Sequence, residues 1–229
     1  GWEEVWAGVC ACREDIGRQT VDEFHDELVS LRRAPHAGFQ ALVAVLLSVQ
    51  CRDGVALAAF RRLRESLGGE VTPSAVAAAG VADIEDAVSS CNYKASKARY
   101  VSAAAEAVLG RFGGEVPRTG PELQTLPGVG PKVANLLLSV SFGDPEAGVV
   151  VDTHVHRLCR RWGLTEGART AEDTRKQLER WLPRRDWVDF TLTCIAFAQG
   201  VCHPRGPRCG ECPLAAAGLC PSAYGGNEE

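Results

Sequence analysis

The sequence lacks several features that would place it in other protein classes. It contains no methionine among its 229 residues, even at position 1, so we expect a trimmed chain with a missing N-terminal tail. It has no apolar run of membrane-spanning length and no signal peptide, which argues against membrane-spanning and secreted proteins. It also has no segment with the apolar and polar alternation of a β-strand.

An excess of positive charge is missing as well. The 25 Lys and Arg residues are outnumbered by 29 Asp and Glu, so the formal net charge is −4. This balance argues against a general polyanion binder, and a DNA-binding protein of this charge must concentrate its basic groups locally. Three groups are candidates, although each is also typical of a solvated helix face: Lys94, Lys97 and Arg99; Arg157, Arg160 and Arg161; Arg205 and Arg208.

Capping signals and apolar patterns predict an all-α fold. The segment Phe39–Gln50 is apolar at nearly every position, which is typical of a buried helix. Thr119 and Thr170 each precede an acidic residue at capping-box spacing. Trp2–Leu31 should form two helices that break near Gly17. With no strand signal, these patterns indicate a chain built from capped helices.

A Gly-Pro turn between two predicted helices is the centre of the candidate site. The turn has the sequence LPGVGP over residues 126–131, and Pro131 suits the first turn of the following helix. Gly128 and Gly130 permit a sharp turn and leave room for a close ligand. The free N–H groups at the start of that helix suit a phosphate group.

Two side chains near this turn could carry out nucleophilic chemistry. Lys132 lies in the first helical turn, where the helix field and partial burial would favour a neutral amine that can form a Schiff base with a sugar. Asp152, in the segment VDTH, could accept a proton or stabilise a developing cation. Each residue also has an ordinary explanation. Lysines at this position are commonly solvated, and an Asp before a helix is commonly its N-cap, a role compatible with catalysis.

Ten cysteines indicate metal ligation, because disulfides are rare without secretion. Four of them, Cys202, Cys209, Cys212 and Cys220, follow the pattern C-x6-C-x2-C-x7-C among Pro and Gly residues. This spacing alone allows either a zinc ion held by four thiolates or an iron–sulfur cluster. Several of the remaining cysteines lie in apolar surroundings and should be buried thiols.

The segment LPGVGPK followed by VDTH resembles the endonuclease III family of DNA base-excision repair glycosylases. The similarity extends from about Phe39 to Cys220. It implies that Lys132 attacks C1′ of a damaged nucleotide with assistance from Asp152. Adenine-removing relatives lack the lysine, so the resemblance implies a bifunctional glycosylase and abasic-site lyase that removes oxidised pyrimidines and cuts by β-elimination. The alternatives are a monofunctional or mismatch glycosylase of the same fold, and a non-catalytic DNA-binding module.

The resemblance also assigns DNA contacts and a cofactor. Gln50 matches the glutamine of the family's LLSxQ motif, which fills the space left by a flipped base, although a polar residue at a helix end is common. His154 is implied to line the pocket. Tyr93 falls where the family has an apolar wedge, and Asn92, which tolerates a left-handed backbone, falls at the preceding glycine. The four C-terminal cysteines resemble the C-x6-C-x2-C-x5-C pattern that binds [4Fe–4S], with the last spacing two residues longer.

A two-domain, all-α helix-hairpin-helix architecture follows from the same resemblance. One domain should span residues 35–146 and contain the hairpin. The other should combine residues 1–34 with 147–229 and carry the [4Fe–4S] loop. The implied partner is double-stranded DNA with a damaged base. We expect a monomer in the cytoplasm, at the nucleoid in a bacterium, without membrane association.

Overall fold

A computed structural model describes residues 1–144 and 146–223. Within these ranges the chain forms helices and no β-strand, so the all-α prediction is confirmed. None of the helices in these ranges is both long and apolar enough to cross a lipid bilayer. The α-helices are α1 Trp2–Ile16, α2 Thr20–Leu31, α3 Ala37–Ser48, α4 Asp53–Ser66, α5 Pro73–Ala78, α6 Val81–Ala87, α7 Lys94–Phe112, α8 Gly120–Leu123, α9 Pro131–Leu136, α10 Thr153–Arg161, α11 Ala171–Trp181, α12 Trp187–Gly200 and α13 Pro213–Ala216.

The chain divides into two compact units. The hairpin unit is Glu23–Ala147, and the cysteine unit combines Gly1–Asp22 with Gly148–Glu229. The division falls inside α2, whereas the sequence placed a domain limit at residue 35. The two folding domains inferred from the sequence stay a prediction.

Helix α3 is the central element of the hairpin unit. Every side chain from Phe39 to Leu47 is buried, as the apolar pattern predicted. The helix packs against α4, α7 and the π-helical turn Leu137–Ser141 that continues α9. The buried polar residue Gln40 is satisfied, because its Nε2 donates to the carbonyl of Pro35 at 2.7 Å. A helix enclosed on all sides gives its C-terminal end a fixed position.

Two predicted threonine caps are confirmed. The Thr119 hydroxyl accepts a hydrogen bond from the Glu122 N–H at 3.4 Å and donates one to the Glu122 carboxylate at 2.6 Å. Thr170 forms a reciprocal capping box with Asp173, in which each side chain bonds the other residue's backbone N–H. These bonds satisfy N–H groups that have no acceptor inside their own helix. The first cap starts the hairpin motif.

Arg32 secures the end of the π-helical turn in the hairpin unit. Its Nε donates to the carbonyl of Val140 at 2.7 Å, and its Nη2 bonds the same oxygen. The turn itself closes through the Phe142 N–H, which donates to Leu137 at 2.9 Å. The guanidinium therefore satisfies a helix-end carbonyl that would otherwise lack a partner.

The core of the cysteine unit joins the two ends of the sequence. Helix α1 packs against α12, which also contacts α10. The ring centroids of Trp6 and Phe190 are 5.1 Å apart, and those of Trp162 and Phe197 are 5.5 Å apart. Helix α1 ends at Ile16, and the φ of 69° at the following Gly17 breaks the helix where the sequence predicted. The chain thus leaves this unit after α1 and returns to it at residue 148.

Candidate active site and nucleic-acid interface

Helices α8 and α9 form the predicted helix-hairpin-helix motif. The turn between them closes through the Val129 N–H, which donates to the Leu126 carbonyl at 3.1 Å. Gly130 is the N-cap of α9, and Pro131 is its first residue, where the missing N–H removes no helical bond. The next N–H groups of α9, on Lys132 and Val133, have no acceptor within the helix by position.

The two hairpin glycines serve different purposes. Gly128 has a φ of 79°, and a Cβ there would lie 3.0 Å from Cγ of Tyr100 and 3.1 Å from Cδ2 of Leu46. Its lack of a side chain therefore allows the turn to approach the protein's own α3 and α7. Gly130 has an ordinary extended backbone, and a Cβ there would meet no atom within 4 Å. The space in front of α9 is thus left open by Gly130.

Lys132 is the second residue of α9 and is exposed. The partial burial expected from the sequence is not observed. Its position in the first turn places it beside the N–H groups of α9 that have no helical acceptor. The structure therefore presents a primary amine at the surface next to N–H groups that can bind an anion.

Gln50 and Tyr93 belong to two neighbouring loops of the hairpin unit. Both adopt left-handed backbone conformations, with φ of 50° and 56°, which are uncommon for residues other than glycine. Asn92 joins the loops, because its Nδ2 donates to the Gln50 carbonyl at 3.0 Å. The sequence had offered Asn92 as the left-handed residue, but Tyr93 is the left-handed one. Both Gln50 and Tyr93 are exposed.

Lys97 does not belong to the exposed basic group predicted for α7. Only 4% of the residue is exposed, and its Nζ donates to the Leu47 carbonyl at 2.6 Å. That carbonyl lies in the last turn of α3, where carbonyls lack helical partners. Lys97 thus fixes the end of α3 just before Gln50. Sequence reasoning missed this role because the neighbouring Lys94 and Arg99 are typical of a solvated face.

Asp152 is the N-cap of α10, as its position before a helix predicted. Its Oδ1 accepts hydrogen bonds from the N–H groups of His154 and Val155, both at 2.8 Å. Its other oxygen, Oδ2, accepts no bond recorded from the described ranges. The carboxylate is half-buried, so the cap orients it while Oδ2 stays available for a further contact.

Arg157 links the VDTH segment to the C-terminal cysteines. Its Nη2 lies 3.5 Å from Nδ1 of His154, and its Nη1 donates to Sγ of Cys202 at 3.7 Å. Burial is the main influence on this guanidinium and lowers the pKa of Arg157. Arg161 also donates to Cys202 Sγ, at 3.3 Å. Two members of the second basic group therefore point into the protein and bind a cysteine sulfur.

The four C-terminal cysteines lie near one another. Burial raises the pKa of the Cys220 thiol, and the thiols of Cys202, Cys209 and Cys212 raise it further. Burial also raises the pKa of Cys212, although two backbone N–H groups of α13 bond that sulfur and oppose the increase. Cys220 therefore lies close enough to the other three thiols to be influenced by them.

The longer spacing before Cys220 is occupied by α13. After this short helix, the Leu219 N–H donates back to the Leu214 carbonyl at 2.8 Å, and Gly218 adopts a φ of 68°. This return turn directs the chain toward the other cysteines. The two extra residues are therefore accommodated as helix and turn.

The donor set fits an iron–sulfur cluster by its chemistry. Four cysteine thiols lie in one C-terminal segment, and guanidinium or backbone N–H groups bond the sulfurs of Cys202 and Cys212, contacts that stabilise thiolate ligands. In residues 1–144 and 146–223, no three His, Cys, Asp or Glu side chains are already arranged to hold one metal ion.

Comparisons with known proteins agree with this geometry. Residues 43–184 match the model of the HhH-GPD superfamily of base excision DNA repair proteins. The endonuclease III of Synechocystis is 40% identical to this chain, over 80% of this chain and 81% of that protein. The chloroplastic endonuclease III homolog 2 of Arabidopsis thaliana is 38% identical, and the homolog of Schizosaccharomyces pombe is 34% identical, each over 97% of this chain. The chain spans only 58% and 62% of the lengths of these last two proteins.

Solved structures with DNA are also similar. A non-covalent endonuclease III–DNA complex matches with a TM-score of 0.75 and 30% identity, covering 91% of this chain and 98% of that chain. A trapped endonuclease III–DNA covalent intermediate, an estranged-adenine complex, matches with a TM-score of 0.74 at the same identity and coverage. A thermostable thymine-DNA glycosylase shares the fold, with a TM-score of 0.69 and 18% identity.

Proposed function

We propose, from the premise that this chain belongs to the endonuclease III family within the HhH-GPD superfamily of base excision DNA repair proteins, that it is a bifunctional DNA glycosylase and abasic-site lyase. Its substrates would be oxidised pyrimidines in double-stranded DNA. We further propose that the protein acts as a monomer in the cytoplasm, at the nucleoid if the source is a bacterium.

The observation that carries this proposal is the position of Lys132. It is an exposed primary amine at the start of α9, directly after the hairpin turn. A lyase that works through a Schiff base needs such an amine, and the adjacent free N–H groups can hold a DNA phosphate without reading sequence. The open space at Gly130 supports this approach of the phosphate backbone.

In the proposed reaction, the Lys132 amine attacks C1′ of the damaged nucleotide. The bond from C1′ to the base breaks, and the base leaves with the electron pair and takes up a proton. Loss of the amine proton and opening of the sugar ring give an iminium between Nζ and C1′. This iminium acidifies C2′–H, and loss of that proton expels the 3′ phosphate by β-elimination. Water then releases Lys132.

Asp152 would supply negative charge in this reaction. Its Oδ1 is held by two N–H groups of α10, which fixes the orientation of the carboxylate. Oδ2 would accept the proton of the attacking amine or stabilise positive charge at the sugar. His154 is proposed to line the nucleotide pocket from the first turn of the same helix.

The damaged base must leave the stack before this chemistry can occur. We assign Gln50 to fill the space that it vacates, since Gln50 is exposed at the tip of a fixed loop. Tyr93, which is 66% exposed, would stack on an adjacent base from the neighbouring loop.

The four C-terminal cysteines, Cys202, Cys209, Cys212 and Cys220, are proposed to hold a [4Fe–4S] cluster. When bound, the cluster would supply a covalent clip for a loop that has little core of its own. The reaction above uses only side chains of the protein and does not pass through the cluster.

Covalent trapping with borohydride tests the proposal. Duplexes would carry either an abasic site or an oxidised thymine, and Lys132→Ala would be compared with Lys176→Met, which removes an exposed amine from α11. We expect the wild type and Lys176→Met to be trapped on both duplexes, and Lys132→Ala on neither.

The outcomes separate the alternatives. Trapping of Lys132→Ala at the wild-type level would refute the assignment of the nucleophile. Base release without trapping would indicate a monofunctional glycosylase. A shifted duplex with neither base release nor trapping would indicate a DNA-binding module.

A further inference from the structure

The loop that carries Gln50 has a conformation that needs support from its surroundings. Gln50 is left-handed at a φ of 50°, and its side chain is exposed. The turn before it closes through the Cys51 N–H, which donates to the Ser48 carbonyl at 3.1 Å. A non-glycine residue keeps such a backbone only where other contacts determine it, and such residues cluster at functional sites.

Two side chains from one neighbouring segment supply those contacts. Lys97 Nζ reaches the Leu47 carbonyl at 2.6 Å on the near side of the loop, within the protein. Asn92 Nδ2 reaches the Gln50 carbonyl at 3.0 Å on the far side. The three residues between these carbonyls, 48–50, are therefore held at both ends.

We propose that Asn92 and Lys97 are positioning residues that fix Gln50 for entry into the base stack. This inference rests on the proposed function, because it needs a reaction in which a base leaves the stack. Neither residue has to touch the nucleotide. Asn92 stands where the family resemblance places a glycine, so its side chain adds a bond that a glycine could not make.

The benefit of this arrangement is preorganisation. A loop that is already ordered loses less conformational entropy when its side chain inserts into DNA. The same bond connects the loop of Gln50 to the neighbouring loop, whose next residue is Tyr93. Removing the bond should slow insertion of Gln50 without changing the chemistry at Lys132.

The test is a double-mutant cycle of wild type, Asn92→Ala, Gln50→Ala and the double variant. Single-turnover base release from a duplex with an oxidised thymine gives the rate, and 2-aminopurine opposite the lesion reports insertion by fluorescence. The matched control is Ser90→Ala, which removes an exposed hydrogen bond from Arg62 in the same loop, away from Gln50. We expect Asn92→Ala to slow insertion and base release about three- to ten-fold. It should have no further effect once Gln50 is alanine.

Three results would overturn the inference. These are an unchanged rate in Asn92→Ala, the same loss in both backgrounds, and full activity in Gln50→Ala. Absence of base release by the wild type would instead refute the proposed function, so the two failures are distinguishable. Trapping on an abasic-site duplex gives a second check, because Asn92→Ala should leave it near the wild-type rate.

Lys97→Met provides a second arm at the buried bond. We expect a larger loss of base release than for Asn92→Ala, since this bond is buried and involves a charged donor. The loss should again disappear in the Gln50→Ala background. Lys176→Met is the charge-matched control. The folding of Lys97→Met is checked first by its cooperative unfolding. If this folded variant and Gln50→Ala lose base release additively, the positioning role is contradicted. If Lys97→Met does not fold, Asn92→Ala decides the question.

Discussion

Replacement of Asp152 by asparagine should separate its structural role from its proposed chemical role. The Oδ1 atom caps α10 through two N–H groups at 2.8 Å, and the amide oxygen of asparagine can accept the same bonds. Asparagine caps helices about as well as aspartate does, whereas alanine costs about 1 kcal/mol. The lost negative charge at the helix N-terminus adds about 0.3–1 kcal/mol in either variant.

We therefore expect Asp152→Asn to lower the free energy of unfolding by less than about 1 kcal/mol and Asp152→Ala by about 1.3–2 kcal/mol. Urea unfolding at 25 °C measures both values. In single-turnover base release, both variants should lose about 10²- to 10⁴-fold, the usual contribution of a positioned acid or base. The rate of base release should thus depend on the negative charge of Asp152, whereas the free energy of unfolding should depend mainly on the oxygen that caps α10.

Thr170→Ala is the control, because Thr170 caps α11 and has no part in the proposed chemistry. It should lower the free energy of unfolding by about 1 kcal/mol, the cost of a lost cap without a lost charge, and leave the rate unchanged. A rate for Asp152→Asn within a few-fold of wild type would refute the chemical role. Equal destabilisation by Asp152→Asn and Asp152→Ala would show that the two N–H bonds do not stabilise α10.

Further predictions concern the hairpin, the cysteines and a half-buried histidine. Gly128→Ala should lower the free energy of unfolding in urea by at least about 2 kcal/mol, because of left-handed strain and contact with the neighbouring helices. Gly130→Ala should lower it by less than about 1 kcal/mol but weaken duplex binding in titrations. Cys209→Ser should lose visible absorption and thermal stability, and Cys10→Ser should lose neither. Burial lowers the pKa of His156 below its ordinary 6.5, so the folded chain favours the neutral ring. The contribution of neutral His156 to the free energy of unfolding should be fully present above pH 6.5 and be lost as the pH falls below it. In a pH series of unfolding curves, His156→Gln should reduce the pH dependence in that range.

Features that depend on neighbouring residues could be predicted from the sequence. The caps at Thr119, Thr170 and Asp152 follow from a polar residue placed before a helical pattern, and the bonds form within three residues. The burial of α3 follows from its apolar character on every face. Such local signals fixed the helical class and the hairpin.

Features that depend on distant contacts could not be predicted in the same way. Lys97 is buried where its Nζ bonds the carbonyl of Leu47, which lies 50 positions earlier at the end of another helix. The left-handed backbone lies at Tyr93 and not at Asn92, whose side chain instead bonds the Gln50 carbonyl in the neighbouring loop. The π-helical turn Leu137–Ser141 lies in a run that looks like ordinary apolar helix, and no local signal marks it.

The re-entrant path of the cysteine unit has a consequence for biosynthesis. The hairpin unit is one continuous stretch and is synthesised without interruption, but α1 must wait for α12 before Val5 and Val9 are covered. About 184 residues separate the end of α1 from the end of α12, so at roughly 5–20 residues per second the wait is about 9–37 s. During that interval α1 exposes an apolar face to the ribosome surface and to chaperones. Delivery of iron and sulfide to the proposed cluster would therefore be a late step, after the whole hairpin unit has been synthesised.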